Sequence, residues 1–243
     1  MMKIQKVQTL RGPNYWSIRQ HKLIVLWLDL GSLTEERSDA IPDFCQGLIE
    51  VLPSLTSDRW NGFLKRVQEG LFLEKIVPQV ALELQSLAGM PVEFSCTHST
   101  STSGVYQVIF EYLDEKAGRY AARAAVRLCQ NLAERGYYPD SELEQDLRDL
   151  RELRVEGALG PSTEAIVKEA EARGIPWMQL STRAMTLLGY GANQKRIQAT
   201  QSDRTSILGV ELAGDKEATK EILKKHGIPV PQGVKIQYLS LIH

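Results

Sequence analysis

Arginines at 119, 123 and 127 recur at four-residue intervals, the spacing that puts side chains on one face of a helix. A row of guanidinium groups there can touch the acidic groups of a polymer. It can equally be a solvated face on which Glu115 pairs with Arg119, and the second reading is favoured. Cys96 and His98 stand two apart and could contribute to a soft metal site, but as a lone pair they read as loop residues. The remaining cysteines, Cys45 and Cys129, form no paired motif. Three odd, widely spaced thiols fit a reduced, cytoplasmic chain better than a disulfide framework. No G-x-x-x-x-G-K-[ST] phosphate loop occurs anywhere.

The elements that must carry these residues follow from periodicity. Lys3 to Leu10 alternates loosely and Lys22 to Leu30 is a stronger strand, separated by an Arg11-Gly12-Pro13-Asn14 turn. Asp43 to Leu52 and Trp60 to Leu73 have helical spacing. Pro78, which lacks an N–H, fits the first turn of a helix and not its interior, so a new or kinked helix should run from Pro78 to Ala88. Gly104 to Leu113 is a β-type run, and Lys116 to Arg135 is the longest helix signal, with Gly136 placed to cap it.

Strands and helices alternate, so residues 1–138 read as an α/β (more finely α+β) domain. Residues 139–161 read as a charged linker helix with Leu143, Leu147, Leu150 and Leu153 on one face and a Ser141–Glu144 capping box. Residues 162–243 form a third region. In it Ser162 should cap a helix ending at Gly174, Pro176 to Leu180 is a short apolar segment, and Gly189 and Gly191 mark a loop. Ile207 to Leu212 reads as a strand, and Asp215 to His226 as a helix whose acidic start and basic end suit its dipole. The chain then runs to His243 in a half-formed apolar segment.

The 243 residues are 43% hydrophobic and 24% charged, with a net charge of −1. That balance provides no global field for nucleic acid or an anionic membrane surface. The longest apolar run, Leu23 to Leu30, is interrupted by Asp29 and too short to span a bilayer, and no signal-peptide cleavage site follows it. The expectation is a cytoplasmic chain with neither partner.

Seven blocks, taken in order, resemble the cyanophycin synthetase family: RGPNYWS from Arg11, the text from Gln20 to Val25, and VALELQSLAGMPV from Val80. They continue with Ser101 to Leu128, LGPST from Leu159, LGYGANQKRIQAT from Leu188 and Val210 to Gly233. The resemblance implies a ligase with an N-terminal domain, an ATP-grasp domain that adds aspartate to the polymer backbone, and a third domain that adds arginine to the aspartate side chain. Each reaction would use ATP and Mg²⁺ to form an acyl phosphate that an amine then attacks. It would place Ser162 and Glu211 at the growing polymer end and Lys216 near the nucleotide phosphates.

On the same resemblance this chain is expected to be the first part of such an enzyme, ending inside the ATP-grasp region. It would lack the glycine-rich ATP loop and the magnesium carboxylates, make no polymer and bind no cofactor alone. Its partners would be polymer or primer and other copies in a homo-oligomer. Many members also carry His-x-x-Glu-His before VALELQ, a zinc-binding pattern. Here those positions hold Lys75, Pro78 and Gln79, which argues against a metal-dependent polymer hydrolase. A stand-alone polymer-docking module is the alternative.

Overall fold

The computed structural model describes residues 1–19, 21–180 and 185–233, so Gln20 and the apolar end towards His243 lie outside the described residues. Two compact units emerge, Met1–Leu159 and Gly160–His243. Each mixes helix and antiparallel sheet, in keeping with the α/β expectation.

In the first unit, strands β1 (Lys3–Leu10), β2 (Leu23–Asp29), β3 (Ser95–Ser99) and β4 (Val105–Glu111) form a sheet in the order β1-β2-β4-β3, antiparallel throughout. Alternation along a strand sends successive side chains to opposite faces. Ile24, Leu26 and Leu28 of β2 and Val108 and Phe110 of β4 thus enter the main core. Leu23, Val25 and Ile109 point the other way into a smaller cluster.

Helices α1 (Phe44–Val51), α2 (Phe63–Gln68), α3 (Leu73–Leu87) and α4 (Glu115–Arg135) contribute to the main core. Helix α4 begins where Asp114 Oδ1 accepts from the Ala117 N–H at 2.9 Å and stops at Gly136, whose φ of +74° suits a left-handed cap. Its alanines 117, 121, 124 and 125 are all buried. The small side chains let the helix approach its neighbours closely, and a Cβ on Gly47 of α1 would lie 2.2 Å from the Gly136 carbonyl oxygen.

Helix α3 corrects the sequence expectation. It starts at Leu73 and runs straight through Pro78. An interior proline costs about 3 kcal/mol, but Leu73, Ile76 and Val77 are fully buried ahead of it. Burying each contributes about 1.5–3 kcal/mol, so the core outweighs the local penalty. The Trp60 to Leu73 helix shrinks to α2, because Asn61, Gly62 and Gly70 all adopt positive φ and break the helix on both sides.

Helix α5 (Asp140–Gly157) packs as the sequence suggests, with Leu150 fully buried and Leu143, Leu147 and Leu153 against the main core. Its N-cap is Pro139 with no side-chain cap, so the Ser141–Glu144 box does not form. The helix belongs to the first unit.

The second unit holds α6 (Pro161–Ala172), then β5 (Trp177–Gln179), β6 (Met185–Leu188), β7 (Lys195–Gln198) and β8 (Gln201–Ser202) in an antiparallel meander. Helices α7 (Ile207–Gly214) and α8 (Lys216–Lys225) follow. The expected strand at Ile207 to Leu212 is therefore helix. A short apolar run has no periodicity that separates the two, and the Ser206 carbonyl accepts from the Val210 N–H at 3.0 Å as a helix requires.

Candidate functional site

The corner between α7 and α8 is the most chemically furnished part of the second unit. Asp215 stands at the junction, its Oδ1 accepting from the N–H groups of Glu217 at 2.9 Å and Ala218 at 3.1 Å. That cap satisfies two orphan donors of α8 and fixes where the helix begins. The Thr219 hydroxyl reaches back to the Leu212 carbonyl at 2.6 Å and ties the helices together.

A cleft of about 700 Å³ opens here, lined by Glu211, Asp215, Lys216, Glu217, Lys220 and two glycines. The fold thus brings together Glu211 and Lys216, two of the residues singled out from the sequence. Among the described residues neither Lys216 nor Lys220 has an ion-pair partner. Two ammonium groups one helical turn apart suit a phosphate or carboxylate, and the Glu211 carboxylate suits an amine or an N–H donor. Lys220 was not singled out from the sequence, although its i+4 spacing from Lys216 was there to be read.

Ser162 does not line this cleft. It is the second residue of α6, exposed, with Gly160 as N-cap and no side-chain cap bond, so the expected capping role is corrected. Proline at the first helical position explains the shift, since it favours starting the helix at Pro161, two residues earlier than a Ser162 cap would.

The arginine row on α4 is divided. Arg119 pairs with Glu115 at 3.3 Å, and Glu115 also takes a two-pronged bond from Arg11 at 2.6 and 3.0 Å. Burial alone would raise the Glu115 carboxyl, but the Arg11 and then the Arg119 guanidinium outweigh it and lower its pKa. Arg123 is exposed, its guanidinium 6.0 Å from the Tyr120 ring centroid. Arg127 is tied into a knot centred on Asp146, which is only 1% exposed.

In that knot Arg127 Nη2 bonds Asp146 Oδ1, and Arg127 Nε donates to the Tyr138 hydroxyl at 3.0 Å. Tyr138 in turn donates to Asp146 Oδ2 at 2.7 Å. The Tyr120 hydroxyl lies 2.8 Å from Asp146 and 2.7 Å from Asp149, so its one proton is shared between two carboxylates. Burial, reinforced by these carboxylates, pushes both tyrosine hydroxyls well above their ordinary pKa. Arg127 therefore holds α5 on α4 and has little capacity left for a ligand.

Residues 25–134 match a family model described as the cyanophycin synthase-like N-terminal domain. The cyanophycin synthetases of Trichormus variabilis and of a Nostoc species are each 62% identical over 244 residues, covering 98% of this chain. That of Geminocystis herdmanii is 61% identical over 242 residues, again covering 98%. Residues 25–134 thus carry a cyanophycin synthase-like N-terminal domain, and 98% of the chain is similar to part of the cyanophycin synthetases. The chain spans a little over a quarter of the length of these relatives, 27% of the first two and 28% of the third.

Against the family's His-x-x-Glu-His pattern, α3 places Lys75 exposed, Pro78 buried and Gln79 half-buried. Glu83, one turn beyond Gln79, is buried and bonded by the Ser54 hydroxyl. Cys96 and His98 lie on β3, where the His98 ring packs 4.7 Å from Trp16. All three cysteines are free. Among the described residues no group of three or more His, Cys, Asp or Glu is placed to hold a metal, and no helix is long and apolar enough to cross a membrane.

Proposed function

We propose that this chain is the amino-terminal part of an ATP-dependent ligase that builds the aspartate–arginine polymer, and that alone it docks polymer without making it. The observation that carries the reading is the joint placement of Glu211 and Lys216 in one cleft, within a chain 62% identical to named cyanophycin synthetases. In this reading Glu211 holds the polymer end in the cleft, and Ser162, exposed at the start of α6, lies outside it. Lys216, with Lys220 beside it, faces the phosphates of ATP.

The donor set of the cleft fits phosphate, because among the described residues neither lysine has an ion-pair partner. It does not assemble a magnesium site: Asp215 already caps α8, and the described residues hold no metal cluster. ATP, when bound, would supply the phosphoryl group that activates a carboxylate. What this chain's residues contribute is binding and orientation, and the magnesium-holding groups belong to the longer protein. Three free cysteines support a cytoplasmic setting.

The test is to incubate the purified chain with ATP, Mg²⁺, aspartate, arginine and primer, with a full-length relative run in parallel. Polymer is expected only from the relative, while the chain alone co-sediments with polymer granules. Synthesis by the chain would overturn the assigned incapacity, and absence from the granule pellet would overturn the docking role.

A further inference from the structure

Helix α7 reads Ile-Leu-Gly-Val-Glu-Leu-Ala-Gly, in which only Glu211 is neither apolar nor glycine. A helix that is apolar on every side belongs in a core, because exposure leaves its whole surface in water. Yet none of its residues is buried, and Val210 alone is half-buried. Ile207 and Leu208 are each 76% exposed, and Leu212 is 37% exposed. Helix α8 is tied to α7 through the Thr219 hydroxyl and the Leu212 carbonyl, and it adds the exposed Ile222.

The exposed side chains form a stripe beside the cleft. Leu208 and Leu212 stand one turn apart, and Ile207 stands one turn from Glu211, which lines the cleft. A surface that covers the stripe therefore borders the cleft wall. The cleft is only half furnished for the chemistry proposed above. Lys216 and Lys220 offer charge to a phosphate, but among the described residues no metal-holding cluster accompanies them. The chain also spans only 27% of the length of two relatives that match 98% of it. The apolar stripe, the half-furnished cleft and the unmatched length of the relatives point to one occupant.

We infer that α7 is a docking helix whose occupant is the part of such a relative that this chain does not match, seated even when supplied as a separate polypeptide. The inference rests on the ligase reading above. Docking takes Ile207, Leu208 and Leu212 out of water and sets the occupant's own groups against Glu211 and Lys216 across the cleft. Helix α7 then becomes the first core layer of a domain built from two chains. A second copy of this chain is the poorer occupant, since it brings two more lysines towards a cleft that already holds two.

The chain is co-expressed with the unmatched part of the Trichormus variabilis relative, which carries an affinity tag. Co-purification in equal amounts is expected. The double variant Ile207→Ser with Leu208→Ser, checked for folding by circular dichroism, should weaken it at least about hundredfold, and Arg123→Ala should leave it unchanged. Capture that persists in the double variant overturns the inference, and so does failure of a soluble, folded partner to capture the wild-type chain. Where the tagged part is insoluble, hydrogen exchange decides. The amides of the matching helix in the full-length relative should exchange at least about hundredfold more slowly than those of α7 in this chain, and equal rates overturn the inference. Self-association that the double variant abolishes, with capture unaffected, assigns α7 to a second copy and also overturns it. Granule binding without capture sinks the docking helix alone, whereas polymer made by the uncaptured chain sinks the reading on which it rests.

Discussion

Among the described residues two four-stranded antiparallel sheets occur, and they are finished differently. In the first unit one face is packed under α1, α3 and α4, with Ile24, Leu26, Val108 and Phe110 fully buried. In the second unit the buried apolar residues among those described are Val167, Ala170 and Ile197, while Ile207 and Leu208 are each 76% exposed. The described residues form helices and paired strands in both units, but they are far less buried in the second. The hydrophobic effect scales with area removed from water, so the first unit carries its own driving force for folding. The second displays apolar surface of the kind that another surface normally covers. The first unit is thus the framework of this chain, and the cleft residues Glu211 and Lys216 sit on the less buried one.

The comparison is most strongly tested at Asp146. Asp146→Ala removes the acceptor shared by Arg127, Tyr120 and Tyr138 and leaves a half-buried guanidinium without its carboxylate. Because the Arg127 side chain is 44% exposed and can be hydrated, the expected loss is about 2–4 kcal/mol, from the lost hydrogen bonds, in urea unfolding followed by near-ultraviolet dichroism. A loss under about 1 kcal/mol would mean that α5 is peripheral to the framework. Gly47→Ala comes next, because its methyl would strike the Gly136 carbonyl. Overpacking of this kind costs about 1–3 kcal/mol, and an unchanged midpoint would show that the α1–α4 approach is looser than described.

The third expectation concerns acid. Glu115 is lowered from its ordinary value of 4.5, so its contribution is fully present above that pH and fades as pH falls through the lower, folded value. Arg11→Ala should flatten this acid limb, and stability curves of the two proteins below pH 4.5 check it. A slope retained in full would mean that Arg119 alone holds the carboxylate. Smallest of all, Ile207→Ser and Leu208→Ser should change stability by less than about 0.5 kcal/mol, since nothing packs on them among the described residues. They should also reduce binding of a hydrophobic dye. A marked destabilisation would place both units on an equal footing.

Much of the framework could be read from the sequence because its signals are periodic and long. The alanine face of α4, the leucine stripe of α5 and the alternation in β4 all emerged within a residue or two of where they lie. Pro78 misled because local preference is overridden by three fully buried neighbours. Strand β3 was missed because Ser95-Cys96-Thr97-His98-Ser99 has no apolar alternation; its strand character comes from pairing with β4. At the cleft, Glu211 and Lys216 came from resemblance; the i+4 spacing sets Lys220 beside Lys216, and only the turn between α7 and α8 brings the two lysines to Glu211. The aromatic contact on β3 was invisible for a different reason. Trp16 meets His98 across more than eighty residues of chain, and no local pattern records such a contact.

The Asp146 knot also governs how this unit can be handed on. Tyr138 lies at the end of the first α/β stretch, whereas its partner Asp146 lies in the helix that follows. A gene fusion or recombination joint between them would leave a phenol, a guanidinium and a second phenol without their common acceptor. A workable joint has to fall after Gly157, so α5 is inherited with the helix α4 it is tied to or not at all.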